Sequence, residues 1–458
     1  MKKVSVIAAA VVGVLAAGQA TASDLEFNGY MRAGIGMNAA GGAAASYGNG
    51  GSGHAVGRLG DEVDTYAEIA LGKGVYEKDN TKFSIHTRIS YASQEGNVDR
   101  QGNSMQRVGD GGPWDSGNTA LREAYAKGDF ENYTIWAGKR FYQRKDIHIL
   151  DFYYLNNSGY GAGFENIDTG FGNFSAAVTM SSEDWQSGTY KLDDSGNIVT
   201  DSDGNPVIDG DYDGGLSGDN WRRSYKADFR LSGIQANENG SIDLGFIYGM
   251  PSLSDGQKAN LDSNPGSMAN SSLAEQNGML FTFEHTQGNF FGGFNKFIVQ
   301  YGTDGLAVGG FDNHAGEGMS AQKGKGYRFI DWGVIEQEKW NMGYSFIYGS
   351  KDIDEAATPW ISTGKTDFYN AVVRPGYKWN DHLATVLELG YANERTEGND
   401  WQDLTKVTLA QEWNAGSNFW ARPSIRAYVS HYSGDKVDVD NNGNKAETMV
   451  GVQVEAWW

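Results

Sequence analysis

The chain ends in TMVGVQVEAWW, residues 448–458, a stretch that alternates strictly between apolar and polar positions. One set of alternate positions is apolar: Val450, Val452, Val454, Ala456 and Trp458. The other set holds Gly451, Gln453, Glu455 and Trp457. Because successive side chains of a strand point to opposite faces, the pattern predicts a β-strand with one apolar and one polar face. The ring of Trp457 falls on the polar face, where packing against an apolar environment does not explain it.

The same alternation recurs near the other end of the chain. In residues 25–33 one face carries Leu25, Phe27, Met31 and Ala33, and the other carries Glu26, Asn28, Tyr30 and Arg32. Residues 62–71 repeat the pattern, with Tyr66 and Glu68 on the polar face. Each stretch therefore predicts a strand that is buried on one side only.

Many similar stretches follow, separated by turns and loops of unequal length. The further candidate strands are 82–91, 121–130, 171–180, 224–231, 241–248, 280–285, 294–301, 327–332, 340–348, 367–373, 384–391, 405–413 and 420–428. Long acidic or glycine-rich loops, such as 184–220 and 251–276, alternate with short turns such as 379–381. Long loops at one end and short turns at the other are typical of outer-membrane barrels. We predict an all-β transmembrane antiparallel β-barrel in residues 23–458, without a second domain.

The composition excludes several other classes of protein. The chain has 0 cysteines, 64 glycines, only 7 prolines, and 13% aromatic residues. The absence of cysteine argues against a disulfide scaffold, and a net charge of −21 argues against a nucleic-acid partner. After the first 22 residues no apolar run approaches the ~18 residues of a membrane helix.

The first 22 residues match a secretory signal peptide. Lys2 and Lys3 form a charged region, residues 4–17 are apolar, and residues 20–22 read Ala-Thr-Ala. This order is typical of a cleavable signal, and we expect cleavage after Ala22.

Residues 135–168 are unusual in mixing charges with rings: IWAGKRFYQRKDIHILDFYYLNNSGYGAGFENID. The segment is too polar for a core helix and too aromatic for an ordinary solvated loop. Such a mixture suits a site that binds hydroxyl groups with charges while rings hold the apolar part of a ligand. We therefore predict that this segment folds inward and narrows a water-filled channel.

Aromatic side chains recur on the polar faces of the predicted strands. Tyr30 shares its face with Arg32, Tyr66 with Glu68, Phe294 with Lys296, and Trp420 with Arg422 and Arg426. A pyranose has an apolar C–H face that stacks on rings and a rim of hydroxyls that suits charged hydrogen-bonding groups. The pattern is therefore a hypothesis for a sugar channel with many weak sites.

The sequence resembles the maltoporin family of outer-membrane carbohydrate porins. The resemblance rests on residues 135–154 with 161–168, and on further motifs in the same order: NGYMRAGIG (28–36), GRLGDEVDTYAE (57–68), LREAYAKG (121–128), the EHTQ and GFNKFIVQY segments within 284–301, LAQEWNAGSNFWARPSIR (409–426) and the terminal WW. These motifs span essentially the whole mature chain.

The resemblance implies a homotrimer of barrels, each with about 18 strands. It also implies an aromatic slide for maltose and maltooligosaccharides, made of Tyr30, Tyr66, Trp114, Tyr153, Phe294, Trp420 and Trp457. Trp114 would serve the channel of a neighbouring subunit. The matching ionic track has the donors Arg32, Arg58, Arg122 and Arg144 and the acceptors Glu68, Asp146 and Asp151.

Two positions depart from the family pattern. Leu155 and Asn156 stand where better-known members carry an aromatic residue and an acid, whereas Arg144 and Tyr153 are retained. Retention favours a maltooligosaccharide channel, which also passes ions. A sucrose-type or broader carbohydrate porin and a general diffusion porin stay as alternatives, although a general porin would not need the aromatic file.

Enzymatic and metal-binding functions have little support. The chain has no G-x-S-x-G motif, its seven histidines lack zinc-ligand spacing, and His148 is a lone loop histidine. Residues 438–443 match the front of a calcium loop, but Met449 stands where the closing glutamate belongs. We expect no cofactor and no metal, contact with outer-membrane lipid, and external loops that are candidate phage receptors. A secreted lectin is disfavoured by the apolar strand faces.

Overall fold

Strands account for most of the structure, which is a computed structural model. It describes residues 25–42, 44, 47, 53–92, 118–184, 189–201, 207, 221–264, 266–311, 315–358, 361–437 and 446–458. The predicted signal peptide, Trp114 and the possible calcium loop at 438–443 lie outside the described residues.

The strands are, in chain order, β1 (Glu26–Asn38), β2 (Thr65–Lys78), β3 (Thr81–Ala92), β4 (Asn118–Asp129), β5 (Thr134–Arg140), β6 (Lys145–Ile147), β7 (Phe152–Leu155), β8 (Gly159–Asp168), β9 (Asn173–Asp184), β10 (Trp221–Asn237), β11 (Gly240–Ser252), β12 (Gly278–Phe290), β13 (Gly293–Thr303), β14 (Gln322–Glu336), β15 (Trp340–Ala356), β16 (Gly364–Asn380), β17 (Leu383–Thr396), β18 (Gln402–Asn414), β19 (Ser424–Ser433) and β20 (Ala446–Trp457). In the part of the chain described, all but β6 and β7 join one 18-stranded antiparallel sheet.

The sheet closes on itself because β1 pairs with both β2 and β20. Closure leaves no free strand edge, so every wall strand has two hydrogen-bonded neighbours. The predicted fold class, an antiparallel β-barrel of about 18 strands, is confirmed.

The two faces of the wall differ as the alternation predicts. In β20 the side chains of Val450 and Val452 are exposed on the outer face, while Gln453 and Glu455 are buried on the inner face. Ile35 of β1, at 74% exposure, continues the outer apolar surface. This apolar outer face is what a barrel presents to lipid.

Strand ends differ from the predicted bounds. The strand predicted at 224–231 extends over Trp221–Asn237, because backbone pairing continues where the side-chain alternation stops. The strand predicted at 62–71 begins at Thr65, and the one predicted at 420–428 begins at Ser424. In the second case Pro423 has no N–H to donate to the ladder, so Trp420 lies in the preceding turn.

Two short helices lie in the loop between β11 and β12. They are α1 (Asp255–Ser263) and α2 (Ser271–Ala274), and Ser254 with Gln257 forms a capping box at the start of α1. In the described part of the chain, no helix has the length and apolar character needed to cross a membrane.

Candidate functional site

The loop between β5 and β8 lies inside the barrel. It contains β6, a single 3-10 turn (His148–Leu150) and β7, and it is named the constriction loop here. Its side chains divide into two sets, one that packs against the barrel wall and one that faces the channel. Those that pack outward against the wall are almost fully buried: Ile147, Ile149, Leu150, Phe152 and Tyr154.

The wall offers these residues an apolar patch on its inner face. The patch is made of one side chain from each of six consecutive strands: Ile247, Leu280, Ile298, Ile330, Ile347 and Val372. Burial of each aliphatic or aromatic side chain of the loop stabilises the inward fold by about 2 kcal/mol. The apolar patch therefore explains why a loop this rich in charge stays inside, and why its other set of side chains faces the channel.

Ion pairs fix the two limbs of the constriction loop. On one side Lys145 contacts Asp243 at 2.7 Å and Glu284 at 2.9 Å, and the Tyr154 hydroxyl donates to Glu284 at 2.8 Å. On the other side Asp151 accepts from Arg32 at 3.1 Å. The loop is thus fastened to opposite parts of the wall.

Residues 53–64, which precede β2, also lie inside the barrel and are named the first loop here. The backbone N–H of His54 donates to the Leu150 carbonyl at 2.7 Å, and that of Arg58 donates to the Ile149 carbonyl at 3.0 Å. The Arg58 guanidinium donates to the Tyr30 hydroxyl at 2.7 Å. The two inward loops therefore form one body, which the alternation in the sequence did not reveal.

Five aromatic rings, named the ring file here, lie in two close groups: Phe294, Trp420 and Trp457 in one, and Tyr30 with Tyr66 in the other. The ring centroids of Phe294 and Trp420 are 6.5 Å apart, as are those of Trp420 and Trp457. Trp457 is the backbone partner of Tyr30, and the ring of Tyr30 lies 6.1 Å from that of Tyr66. The two groups therefore meet at the closing seam of the barrel, where the last strand pairs with the first.

Tyr153 lies on β7 of the constriction loop. The guanidinium of Arg144 is stacked between Tyr153, at 4.1 Å from the ring centroid, and Phe141, at 4.2 Å. Arg122 lies over the same Phe141 ring at 5.3 Å. The structure thereby brings the predicted residues Arg122, Arg144 and Tyr153 together around a ring that the sequence did not single out.

The remaining ionic residues form a dense network. Arg32 contacts Asp64 at 2.8 Å, Glu62 at 2.9 Å and Asp151 at 3.1 Å. Burial would raise the pKa of Glu62, but Arg32 and Arg58 lower it below its ordinary value. The pKa of Asp151 is lowered in the same way: burial would raise it, but the positive charges of Arg58 and Arg32 outweigh that effect.

Glu68 and Asp146 occupy different surroundings. Glu68 is buried on β2, where it accepts from the Tyr66 hydroxyl and from Arg88, at 2.8 Å for the latter. Asp146 reaches the solvent of the channel, yet the protein around it displaces enough water to raise its pKa, against the opposing effect of Arg144.

Several residues of the site were not predicted. His148 lies between two slide candidates, with its ring 5.2 Å from Trp420 and 5.5 Å from Trp457. Glu455, which accepts from Arg422 at 2.8 Å, shares the polar face of Trp457, and that parity could have identified it. Phe141 gave no such signal.

One group of residues has the spacing of metal ligands. His54, Glu62 and Asp151 bring ligand atoms within 4.8 Å of one another. However, Arg32 and Arg58 already bind Glu62, and Arg32 binds Asp151. A cation would have to displace two guanidinium groups, so the arrangement serves as an ionic tie between loops.

The departures from the family pattern do not line the channel. Leu155 is 2% exposed and Asn156 is 4% exposed, and the Asn156 backbone donates to Ala315 at 2.8 Å. Both residues therefore stabilise the base of the constriction loop.

Comparison with known proteins finds one matching family and several similar solved structures. The sequence model described as LamB porin matches residues 25–458. OpdK of Pseudomonas aeruginosa, solved with vanillate, is 8% identical with a TM-score of 0.45, covering 95% of this chain and 99% of that one. OccAB1 of Acinetobacter baumannii is 10% identical with a TM-score of 0.44, covering 96% and 98%. OmpT of Vibrio cholerae, folded in vitro, is 11% identical with a TM-score of 0.42, covering 96% and 100%.

Proposed function

Because the chain belongs to the LamB porin family, we propose that it carries maltose and maltooligosaccharides by facilitated diffusion along its file of aromatic rings. Membership in this family makes the chain an outer-membrane channel and not an enzyme. The preference for maltodextrins and the sliding mechanism are the parts that the proposal adds.

The single observation that carries the proposal is the ring file itself. Its five rings come from separate parts of the chain. The ring centroids of Phe294 and Trp420, and of Trp420 and Trp457, are 6.5 Å apart, and those of Tyr30 and Tyr66 are 6.1 Å apart. That spacing lets the apolar face of one glucosyl unit leave a ring as the next unit reaches it. A general diffusion pore needs charged walls but has no use for such a file.

The ionic network supplies the partners for the sugar hydroxyls. Arg58 donates to the Tyr30 hydroxyl and Arg32 lies over the Tyr66 ring, while Glu68 bonds with Tyr66 and Asp151 with Arg32. As a sugar advances, its hydroxyls exchange hydrogen bonds with fixed side chains in place of water. Charge-assisted bonds of this kind make up for the lost hydration.

Each site must bind weakly for the sugar to leave. A dissociation constant near 1 mM corresponds to only about −4 kcal/mol, which a few ring contacts and hydrogen bonds provide. Similar weak sites in sequence allow movement in either direction along the concentration gradient. Ions pass through the same water-filled path.

We assign selectivity among sugars to the constriction loop, which the proposal makes the narrowest part of the channel. The stack of Phe141, Arg144 and Tyr153 holds a donor and a ring in fixed orientation at the constriction loop. A linear α-linked glucan can present its faces to rings one after another, whereas branched or bent sugars meet the stack side-on. Sucrose-type and broader carbohydrate transport are the alternative outcomes.

The proposed assembly is a homotrimer in which Trp114 extends the slide of a neighbouring subunit. Support comes from the family resemblance: Trp114 stands eight positions before the matching Arg122, and in the family that ring serves the channel of the neighbouring subunit. The outer apolar face of the barrel supplies the surface for subunits and lipid.

Ion current through single trimers in a planar bilayer tests the proposal. Titration with maltotriose, sucrose and raffinose is expected to give saturable block that is strongest for maltotriose. Stronger block by sucrose would favour a sucrose-type porin, and the absence of block by all three sugars would favour a general diffusion porin.

A further inference from the structure

Three adjacent wall strands present a row of buried charges to the inside of the barrel. Glu388 on β17 accepts from Arg374 of β16 at 2.6 Å and from Lys406 of β18 at 3.1 Å. Glu388 and Lys406 are fully buried, and Arg374 is 5% exposed. This row is named the wall triad. Within the described residues its hydrogen bonds go to its own members and to the two inward loops, and no ring of the file is among these partners, so sugar stacking does not explain it.

The wall triad binds the main chain of the first loop on both sides of Arg58. The Leu59 N–H donates to Glu388 at 3.0 Å, and Lys406 donates to the Gly57 carbonyl at 2.6 Å. Both bonds involve a charged partner away from bulk water, which makes them stronger than ordinary backbone bonds. The backbone of Arg58 is thereby fixed before its side chain reaches the channel.

Two glycines allow this close approach. A Cβ on Gly57, whose φ is +96°, would lie 2.3 Å from a Glu388 carboxylate oxygen. A Cβ on Gly390, which faces the same loop from β17, would lie 2.0 Å from the Val56 carbonyl oxygen. The first loop and the wall are therefore complementary in shape as well as in charge.

The wall triad also reaches the constriction loop. Arg374 donates to the Ile149 carbonyl at 3.3 Å, and the Arg58 N–H donates to that same oxygen at 3.0 Å. One buried carboxylate thus holds two cations, and together they bind the main chain of both inward loops. Removing the carboxylate would leave two buried cations without an anion to balance them and would take away the acceptor of the Leu59 N–H.

We propose that Glu388, with Arg374 and Lys406, positions Arg58 and the constriction loop and so sets the channel width and the affinity for sugar. This inference rests on the proposed function for its sugar-binding part only. These residues act through Arg58, whose guanidinium binds the Tyr30 hydroxyl at 2.7 Å beside the ring file.

A double-mutant cycle with Glu388→Gln and Arg58→Ala tests the positioning role. The amide of Glu388→Gln still accepts from Leu59 but carries no charge for Arg374 and Lys406. We expect Glu388→Gln to increase open-channel current noise, shift the conductance, and weaken maltotriose block about tenfold, the size of one lost charge-assisted bond. In the Arg58→Ala background the same change should weaken block by clearly less than tenfold, because only the contact of Arg374 with the Ile149 carbonyl of the constriction loop remains to be disturbed.

The matched control is Glu394→Gln. Glu394 lies on the same strand and pairs with Lys436 at 2.5 Å near the outer rim, so its loss should leave noise, conductance and block as in the unmodified channel. A Glu388→Gln channel that behaves like Glu394→Gln, or effects of Glu388→Gln and Arg58→Ala that add in full, would overturn the positioning role.

A second variant tests the same idea without removing a charge. The Cβ of Gly390→Ala would clash with the Val56 carbonyl and displace the first loop, so this variant should reproduce the noise and the conductance shift. Gly245→Ala should not, because its Cβ would lie 3.4 Å or more from its neighbours. A Gly390→Ala channel like Gly245→Ala overturns the proposal even if Glu388→Gln fails to fold. The current measurements need no sugar, so they stay decisive if maltotriose does not block the unmodified channel.

Discussion

Tyr30 and Trp457 are backbone partners across the seam where the first barrel strand meets the last. Both lie on the polar face of their strands, and the Tyr30 hydroxyl donates to Glu455 at 3.2 Å. Residues at opposite ends of the chain therefore become neighbours in the ring file only when the barrel closes. This relationship links closure of the fold to the proposed transport path.

Loss of one ring from the file should weaken sugar binding without unfolding the barrel. Trp420→Ala or Tyr30→Ala is expected to weaken maltotriose block about two- to thirteenfold, because an aromatic contact contributes about 0.5–1.5 kcal/mol. Current block in a planar bilayer measures the change. Phe346→Ala is the control, since Phe346 is exposed on the outer face. Equal block in all three variants would count against the slide.

Tyr153 should limit the width of the channel. Tyr153→Ala removes a ring from the constriction loop and frees one face of Arg144, so single-channel conductance is expected to rise, by up to about twofold if this ring sets the width. Tyr160→Ala, which removes an exposed ring of β8, should leave conductance as it was. An unaltered conductance in Tyr153→Ala would place the narrowest point elsewhere.

As the pH falls, Asp146 should be protonated before the carboxylates of Asp151 and Glu62, which form ion pairs with Arg32. The pKa of Asp146 is raised above its ordinary 3.8, so this side chain takes up a proton first as the pH falls and the track loses one acceptor. The pKa values of Asp151 and Glu62 are lowered, so their bonds to Arg32 are lost only below their ordinary values. A pH titration of maltotriose block is expected to show a step above pH 3.8.

Asp146→Asn provides the control for that titration. The variant cannot take up a proton at this position, so the step should disappear, and its block at neutral pH should already lie near the level that the unmodified channel reaches below the step. If the step persists in Asp146→Asn, another carboxyl is responsible.

Trp114 should affect sugar binding only in the assembled trimer. Trp114→Ala is expected to weaken maltotriose binding about threefold in trimers, as for other single rings. In a variant held monomeric, with its state measured by light scattering in detergent, the substitution should have no effect. An effect that survives in monomers would contradict the sharing of this ring between subunits.

The fold could be predicted because alternation reports directly on the two faces of a strand. Parity alone assigned Tyr30, Tyr66 and Trp457 to the polar side of their strands. In the structure Tyr30 bonds with Arg58 of the first loop and Trp457 lies beside His148 of the constriction loop, while Tyr66 bonds with Glu68 on its own strand. Strand ends were less predictable, because backbone pairing continues past the point where one face must be apolar. Trp420 reaches the file from a turn and not from a strand.

The contacts of the first loop could not be predicted in the same way. Periodicity describes neighbours within a strand. The main chain on either side of Arg58 is held by Glu388 and Lys406, which lie more than 300 positions further along the chain. Likewise, Phe141 gains its place beside Arg144 and Arg122 only after the constriction loop folds inward. Such contacts depend on shape complementarity inside the closed barrel, which leaves no local pattern.

The central claim is that glucosyl units stack on the ring file inside the channel. A crystal structure of the protein soaked with maltotriose at a concentration that saturates current block tests it most directly. The account predicts sugar rings against Trp420, Trp457 and Tyr30, with hydroxyls bonded to Arg32 or Arg58. Sugar bound only away from these rings, or no ordered sugar at that concentration, would contradict it.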